Sequence, residues 1–409
     1  MKAIEAEPEE STFRQLDRWW FGFGSATTLG LFRLCIGTLA FLNFLMLAGD
    51  WGAWFSENSY MPAWLGQLWL GPVQPTGVSD WDMTRLDVIS GVTDPRIAAG
   101  FFALTTVAAL FTAMGLFTRV AAFTLALGVV SLHHRNTGVL HGGDTLLRLG
   151  VIYLAVSPCG RACSLDRLFR LRRGEETEPV EISLWSQRLI QFNMALIYFT
   201  TMWGKTFGPK WIDGTATWYP ARLAEFYRFP VPGFMNDLPM VYFTTYFTLA
   251  VEFSLATLVF FRPFRKYVLF AGVMLHGTIE YSMNIPLFSY LMVSCYISHY
   301  EGEEVTTFFR KLGNLLGRLF SLKVFLPPGH RLTANGERFL HAVDPFGFMS
   351  YVPNEHPRDV EEGWDAKKPN GKRSNPFRGV AYRAPGAWIF LAVPGLWKRM
   401  MLGSTEAVA

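Results

Sequence analysis

Three stretches of the sequence combine residue types that proton transfer requires. The first, "YFTTMWGKTFGPKWIDGTA", places Lys205 at the end of an apolar run, between Trp203 and Trp211. Burial disfavours the charged form of a lysine, and a neutral amine is a usable general base. Alternatively, Lys205 only reaches the lipid headgroups, with tryptophans beside it as anchors, as we expect for Lys210 in the following loop.

The second stretch, "VMLHGTIEYSMNIPLFSY", contains His276, Glu280 and Asn284. His276 and Glu280 are one helical turn apart, which predicts a histidine–carboxylate pair on one face of a helix. Pro286 then breaks the helix, and the carbonyls that it frees must line a cavity or be buried in protein. The alternative for His276 is a packed, hydrogen-bonded residue of the protein interior.

The third stretch, "HHRNTGVLHGGDTLLRL", contains His141 and Asp144. This His-x-x-Asp spacing would suit a metal ion, but no second pair of ligands at helical spacing supports one, and we expect no metal. Gly142 and Gly143 allow the backbone to turn, and Asp144 is well placed to cap the helix that follows.

The composition indicates the elements that hold these side chains. The chain is 50% hydrophobic and 16% aromatic but only 17% charged, whereas soluble domains carry roughly a quarter charged residues. We predict an all-α, polytopic membrane protein with about eight transmembrane helices, interfacial helices and a short soluble C-terminal tail. No nucleic-acid partner is expected. The candidate spans are Thr28–Ala48, Arg96–Phe117, Arg119–Leu132, Thr145–Pro158, Leu189–Lys205, Met240–Phe261, Tyr267–Tyr281 and Leu287–Tyr300.

The distribution of basic residues predicts the orientation. The stretches "RACSLDRLFRLRRG" and "FRPFRKY" are strongly basic, and both face the cytoplasm if the N-terminus is cytoplasmic. We therefore expect a multi-pass protein of the inner (cytoplasmic) membrane with a cytoplasmic N-terminus and lipids as neighbours. The Trp-rich segments Trp51–Pro72 and Trp211–Pro232 are predicted to lie on the outer leaflet.

This topology divides the chain into three parts and sorts its charges by depth. Residues 1–27 form a cytoplasmic or interfacial segment, residues 28–300 the transmembrane domain, and residues 301–409 a basic, membrane-associated cytoplasmic region. Four proton-exchanging groups would meet near the outer leaflet: Lys205, Asp144, His276 and Glu280. The remaining charges within spans are expected elsewhere, as structural pairs: Arg33, Arg148, Arg188 and Glu252.

Five segments in order resemble one family. They are "LFRLCIGTLAF", "SLDRL", "LIYFTTMWGKTFGPKWIDGTA", "AVEF" and "LHGTIEYSMNIPLFSY". Together they are similar to the HTTM (horizontally transferred transmembrane) domain, which bacterial proteins share with the membrane part of vitamin K-dependent gamma-carboxylase. The resemblance runs from Phe13 to Tyr300.

The resemblance implies a carboxylase-like enzyme with a reduced quinone, similar to vitamin K hydroquinone, as cofactor. Lys205 would be the base that deprotonates it, and His276 would shape the pocket. In the carboxylase, oxygen addition then gives a stronger base, which removes a proton from the gamma-carbon of a protein glutamate, and CO2 adds to the carbanion. An exported peptide or protein would be the substrate. The residues around the base would be His141, Asp144, Trp203, Trp211, Glu280 and Asn284.

Two departures from the family pattern favour a different function. The family's enzymes have an Asn-His pair where this chain reads "HGGD", so the histidine is either displaced to His141 or absent. The region after Tyr300 is short and basic, unlike the luminal domain that handles the peptide in the carboxylase. The alternative is a non-catalytic membrane factor that binds a lipid or an exported peptide, for peptide maturation or immunity. A transporter ranks third because no internal repeat is evident.

Overall fold

The structure is a computed structural model, and it is mostly helical. It describes residues 11–60, 62, 65, 86–89, 92–176, 180–326, 330–352, 365–369, 371–374, 380, 383 and 405–407. The chain divides into two compact units. The first contains Met1–Gly24, Leu31–Cys159 and Ile182–Tyr300, and the second contains Ser25–Gly30, Gly160–Glu181 and Glu301–Ala409.

A helix lies within each span predicted from the sequence. The long helices up to the basic stretch at 161–173 are α2 (Thr27–Leu47), α4 (Pro95–Met114), α5 (Thr118–Arg135) and α6 (Gly142–Val156). The helices of the later spans are α8 (Trp185–Lys205), α10 (Leu238–Ala256), α11 (Arg262–Ser282) and α12 (Phe288–Tyr296). Short helices accompany them: α1 (Thr12–Phe21), α3 (Trp51–Phe55), α7 (Leu165–Arg173) and α9 (Pro209–Ile212).

Within the described residues, two helices are long and apolar enough to cross a membrane, α2 and α4. The mostly helical fold agrees with the all-α prediction, whereas the number of about eight spans is not confirmed. The other helices are shorter or more polar: α12 has 9 residues, and α5 ends in His133, His134 and Arg135. The outer-leaflet segment predicted at Trp51–Pro72 begins with α3, but most of its residues after Tyr60 lie outside the described part of the chain.

Small residues allow the first helices to pack closely. A Cβ on Gly37 of α2 would lie 2.6 Å from the backbone nitrogen of Ala113 in α4. A Cβ on Gly128 of α5 would lie 2.2 Å from the Thr105 hydroxyl of α4. Close approach through glycine is the usual way in which helices associate where lipid replaces water.

The Arg33 guanidinium of α2 caps a neighbouring helix. It is fully buried and donates to the carbonyls of Thr112 and Ala113, at the C-terminal end of α4. The last carbonyls of a helix lack partners within the helix and carry partial negative charge, so a cation is stabilising there. The prediction that Arg33 is structural agrees with this position, in which two backbone carbonyls are among its partners.

Arg135 at the end of α5 organises two loops. Its Nε donates to the Phe55 carbonyl at 2.7 Å and its Nη1 to the Ile89 carbonyl at 3.0 Å. Glu57 and Asp87 lie 3.6 and 3.4 Å from its guanidinium nitrogens. Only 2% of the Arg135 side chain is exposed. Its guanidinium supplies hydrogen-bond donors to loop carbonyls that lack a partner in regular secondary structure.

The second unit contains a small sheet, which an all-α prediction did not include. Strand β3 (Leu322–Phe325) pairs in parallel with β5 (Met349–Val352) and antiparallel with β6 (Asp365–Lys367). Strand β7 (Arg373–Ser374) pairs antiparallel with β6, and β4 (His330–Leu332) pairs separately with β8 (Thr405–Ala407). The short strands β1 (Phe23–Ser25) and β2 (Glu181–Ser183) form a two-stranded sheet of their own. Helices α13 (Gly302–Phe320) and α14 (Ala334–Val343) flank β3 and β4 in sequence.

Candidate proton-transfer site

Helices α8 and α10 pack against each other and run in opposite directions. Trp19 shows the relative direction, because its ring lies 4.9 Å from the Arg188 guanidinium, at the start of α8, and 6.4 Å from the ring of Phe260, just beyond the end of α10. Side chains on a helix lean toward its N-terminus. Lys205, the last residue of α8, and Glu252, late in α10, therefore lean toward each other.

Lys205 and Glu252 form an ion pair. The Lys205 Nζ donates to Glu252 Oε1 and lies 5.0 Å from the ring centroid of Trp211. The prediction that Glu252 lies away from Lys205 is therefore wrong. The positions of Lys205 and Glu252 along their helices differ in depth, but a lysine side chain directed back along its helix is long enough to span the difference. The side chain of Glu252 is 8% exposed and that of Lys205 25%.

A hydrogen-bonded row of ring side chains lies beside this pair. The Tyr198 hydroxyl is 2.8 Å from His276 Nε2 and 2.6 Å from the Tyr296 hydroxyl. Gly272 leaves room for the row, since a Cβ there would lie 2.5 Å from the Tyr296 hydroxyl. All three rings are buried, so each hydroxyl and imidazole needs its neighbour as a partner.

The two groups form one electrostatic cluster. The charge of Lys205 acts on His276, and the charge of Glu252 acts on Tyr198 and Tyr296. Two polar atoms of this cluster are buried without a hydrogen-bond partner among the described residues, Glu252 Oε2 and His276 Nδ1. Buried polar atoms of that kind are rare and are expected to be completed by water or a ligand.

His141 and Asp144 lie at the start of α6 and act on the backbone there. The His141 imidazole accepts from the Gly143 amide at 2.9 Å, and Asp144 Oδ2 accepts from the His141 amide at 2.8 Å, which makes a reciprocal cap. His133 Nε2 lies 3.9 Å from Asp144 Oδ1. The helix begins earlier than predicted, at Gly142, so His141 is its N-cap residue and Asp144 bonds back to it from the third helical position.

The Phe288 side chain contacts His276 and lies close to the first residue of α6. Its ring meets that of His276 at a centroid distance of 5.6 Å, and it lies 3.8 Å from where a Cβ on Gly142 would be. Leu287, which precedes it, has φ 59°, a left-handed conformation that non-glycine residues seldom adopt. The predicted helix break is present, since α11 ends at Ser282 and α12 begins at Phe288.

The structure places Glu280, Asn284 and Trp203 differently. Glu280 pairs with Arg228 instead of His276, so the predicted histidine–carboxylate pair is wrong. His276 bonds to Tyr198, and Arg228, from the loop between α9 and α10, holds the carboxylate. The backbone amide of Asn284 donates to the Phe226 carbonyl at 2.6 Å and holds the same loop. Trp203 is 56% exposed and stacks on Phe199, away from the ion pair.

Three residues of the cluster were missed by the sequence analysis. Tyr198 precedes Lys205 by seven residues, two helical turns, and that spacing could have placed both on one face of α8. Glu252 is a lone carboxylate in an apolar helix, and such a residue usually has a partner in the protein. Tyr296 left no comparable signal, because nothing local distinguishes it from other tyrosines near a membrane surface.

The apolar helices and the buried polar cluster define a helical membrane protein with a polar site in its interior. The HTTM domain family model matches residues 84–302, more than half of the chain. The chain therefore belongs to the HTTM family, as its motifs predicted. The match contains Lys205, Glu252 and His276, whereas α2 with Arg33 precedes it. Neither a curated protein nor a solved structure matches the chain.

Proposed function

We propose that this HTTM-family protein is a carboxylase-like membrane enzyme in which Lys205 acts as a base on a quinone or another lipid-like substrate. The observation that carries the proposal is the cluster of Lys205, Glu252, Tyr198 and His276, with two buried polar atoms that lack partners. Perturbed or incompletely bonded buried groups concentrate at functional sites. An exported peptide or protein would be the second substrate.

The residues present fit a reduced quinone. A hydroquinone carries two hydroxyl groups, and Glu252 Oε2 can accept a hydrogen bond from one of them. His276 Nδ1 can accept or donate, according to the tautomer that Tyr198 selects at Nε2. When bound, the cofactor would supply an ionisable hydroxyl and reducing electrons. Trp211 and Phe288 would provide apolar surface beside it.

Glu252 is central to how Lys205 would become a base. A proton that moves from the ammonium to the carboxylate leaves a neutral amine beside a neutral acid, and burial favours such uncharged forms. The amine then takes a proton from a hydroxyl placed near it, and Tyr198 and Tyr296 hold His276 in one tautomer. Proton transfer by a placed base is typically worth roughly 10²–10⁴ in rate.

The test uses the absorbance of a naphthohydroquinone, which changes when a hydroxyl ionises. We would titrate it anaerobically onto the full chain in nanodiscs and measure the pH at which the bound ligand ionises. Lys205→Ala should retain binding but move ionisation back toward that of the free ligand. Lys210→Ala is the matched control, since Lys210 is paired with Asp213 on the surface and should change nothing.

Unchanged ionisation in Lys205→Ala would remove the base from the proposal. Absence of hydroquinone binding in the unmodified protein would favour the second candidate, a non-catalytic membrane factor that binds a lipid or an exported peptide. The observation favouring that candidate is that His141 and Asp144 are already engaged in capping α6. Native mass spectrometry of the purified protein would then show a retained lipid or peptide.

We also propose that the protein lies in the inner membrane, crosses it several times and has a cytoplasmic N-terminus. The basic stretches around α7 and at the start of α11 support this orientation. Labelling from either side of the membrane, of the exposed native Cys163 and of a cysteine introduced as Asp213→Cys, would test it. Labelling of Cys163 from outside the cell would reverse the orientation.

A further inference from the structure

The second unit contains a carboxylate surrounded by arginines. Arg170 Nε donates to Glu176 Oε1 at 2.6 Å, Arg167 Nε to Oε2 at 3.4 Å, and Arg161 Nη1 lies 3.8 Å from Oε1. The Glu176 side chain is only 10% exposed. Three cations therefore converge on one anion, whereas one bidentate arginine is enough to bond a carboxylate.

Local structure positions these arginines. Ser164 caps α7 by accepting from the Arg167 amide at 3.1 Å, and its hydroxyl donates to the Gly160 carbonyl at 2.6 Å. Arg170 Nη2 donates to that same carbonyl at 3.3 Å, which holds the turn before α7 beside the helix. The Arg170 guanidinium is thus held by a bond that does not involve Glu176, and the Ser164 cap fixes the backbone that carries Arg167.

Gly174 ends α7 and reverses the direction of the chain. It ends α7 with φ +73°, a left-handed conformation that favours glycine, and its amide bonds back to Leu171 at 3.1 Å. The two residues that follow are acidic. Glu175 pairs with Arg173 at 2.8 Å on the exposed surface, whereas Glu176 enters the arginine cluster.

The charge of the cluster is not balanced by Glu176. Arg161, Arg167 and Arg170 carry three positive charges against one negative charge, and their side chains are 50%, 24% and 23% exposed. Water and solutes can therefore reach them. A phosphate group offers more acceptor oxygens than a carboxylate, and the planar guanidinium fork suits it well.

We propose that Arg161, Arg167 and Arg170 form a phosphate-binding site and that Glu176 occupies it when no phosphate is bound. The carboxylate is an internal competitor, tethered two residues beyond Gly174, and a phosphate group displaces it. The ligand is a phosphate ester, either the headgroup of an anionic phospholipid or a soluble phosphate compound. This site is separate from the Lys205 cluster and does not depend on the function proposed for it.

Competition makes a prediction that a purely structural ion pair does not make. Removing the charge of Glu176 should strengthen phosphate binding, whereas removing an arginine should weaken it. Gaining or losing one charge-assisted hydrogen bond changes affinity about tenfold or more. We therefore expect roughly tenfold changes in opposite directions for Glu176→Gln and Arg170→Gln.

The experiment uses the full chain in phosphatidylcholine nanodiscs that contain a rising fraction of phosphatidylglycerol. Bound phosphatidylglycerol is counted by native mass spectrometry after ejection from the disc. Glu175→Gln is the matched control for Glu176→Gln, because it removes the same charge from the adjacent residue. Arg173→Gln serves likewise for Arg170→Gln. A parallel titration with inorganic phosphate, followed by the thermal midpoint, distinguishes a lipid headgroup from a soluble source.

We expect Glu176→Gln to bind phosphatidylglycerol about tenfold more tightly and both control variants to match the unmodified chain. A response to inorganic phosphate with none to phosphatidylglycerol would assign the site to a soluble compound. If Glu176→Gln and Glu175→Gln bind both probes equally, or if Glu176→Gln binds them more weakly, the proposal is overturned. Thermal midpoints of all four variants show that they are folded.

Discussion

Arg135 and Lys205 each end a long helix of the first unit with a positive charge, and their surroundings differ. Arg135 is almost completely buried, and its guanidinium reaches three backbone carbonyls and two carboxylates. Lys205 is one-quarter exposed, and its one hydrogen bond within the described residues is to Glu252. The first cation is bonded in several directions, and the second in one.

This difference indicates that Arg135 holds the fold, and it supports the proposal that Lys205 exchanges a proton. A guanidinium that bonds to several loops cannot move or lose a proton without disturbing all of them. An ammonium with a single carboxylate partner can exchange its proton with that partner or with a ligand. The orphaned Glu252 Oε2 points to the same conclusion, because the acceptor side of the pair is also incomplete.

The largest expected effect is that of Arg135→Leu on stability. The substitution leaves buried carbonyls and the Asp87 carboxylate without their partner, and breaking a buried ion pair in this way costs roughly 3–5 kcal/mol. The thermal midpoint of the purified protein in detergent measures it. Arg119→Leu is the control, since Arg119 lies exposed near the start of the same helix. Equal midpoints for the two variants would contradict a structural role for Arg135.

A double-mutant cycle at Lys205 and Glu252 tests whether Lys205 has the same structural role as Arg135. Lys205→Met should lower stability by about 1–3 kcal/mol, because it leaves a buried carboxylate unpaired. Adding Glu252→Gln should recover most of that loss, since the orphaned charge is removed. Hydroquinone ionisation should not recover. A double variant that regained both properties would show that Lys205 is as structural as Arg135.

The sequence predicted the helices well and the sheet poorly, for a physical reason. Long apolar runs such as that of α2 are determined by the need to satisfy backbone groups within the segment, so the pattern alone is sufficient. Strand β3 has 4 residues, and its partners β5 and β6 come from later parts of the chain. No local pattern of that length distinguishes such a strand from a loop.

The sequence likewise predicted the residues of the candidate site better than their partners. Lys205 and His276 were identified because a charge or an imidazole in an apolar segment is conspicuous. The ion pair of Lys205 with Glu252 depends on how α8 and α10 are placed, which the sequence does not show. The pairing of Glu280 was wrong because helical spacing considers only one helix, whereas Arg228 reaches it from a loop.

An effect smaller than that of Arg135→Leu is also expected from the hydroxyl row. Tyr198→Phe leaves both His276 Nε2 and the Tyr296 hydroxyl without their partner and should cost about 1–3 kcal/mol. Tyr296→Phe removes a hydroxyl at the end of the row and should cost less. Thermal midpoints measure both, and nitrogen-15 chemical shifts of His276 would report a change of tautomer in Tyr198→Phe. A larger loss from Tyr296→Phe would mean that Tyr296 is the centre of the row.

The smallest expected effect concerns Asp344, a buried carboxylate of the second unit that is held by backbone amides. Its Oδ2 accepts from the Met349 amide at 2.8 Å, and burial raises the pKa of this carboxyl above its ordinary value. The folded state therefore binds a proton at a pH where the unfolded chain has released it. Stability should fall as the pH rises from the ordinary carboxyl pKa through the raised one.

Asp344→Asn isolates this contribution from those of Arg135 and Lys205. The amide of asparagine keeps an acceptor oxygen for Met349 but does not ionise. The stability of the variant should therefore lack the decrease with rising pH that the Asp344 carboxyl causes. Thermal midpoints from acidic to neutral pH, with Glu337→Asn on the exposed face of α14 as control, measure the difference. If the pH–stability curve of Asp344→Asn matches that of the unmodified chain, the Asp344 carboxyl has the same pKa in the folded and unfolded states. The backbone amides would then offset the burial of Asp344 as fully as the carbonyls and carboxylates offset the burial of Arg135.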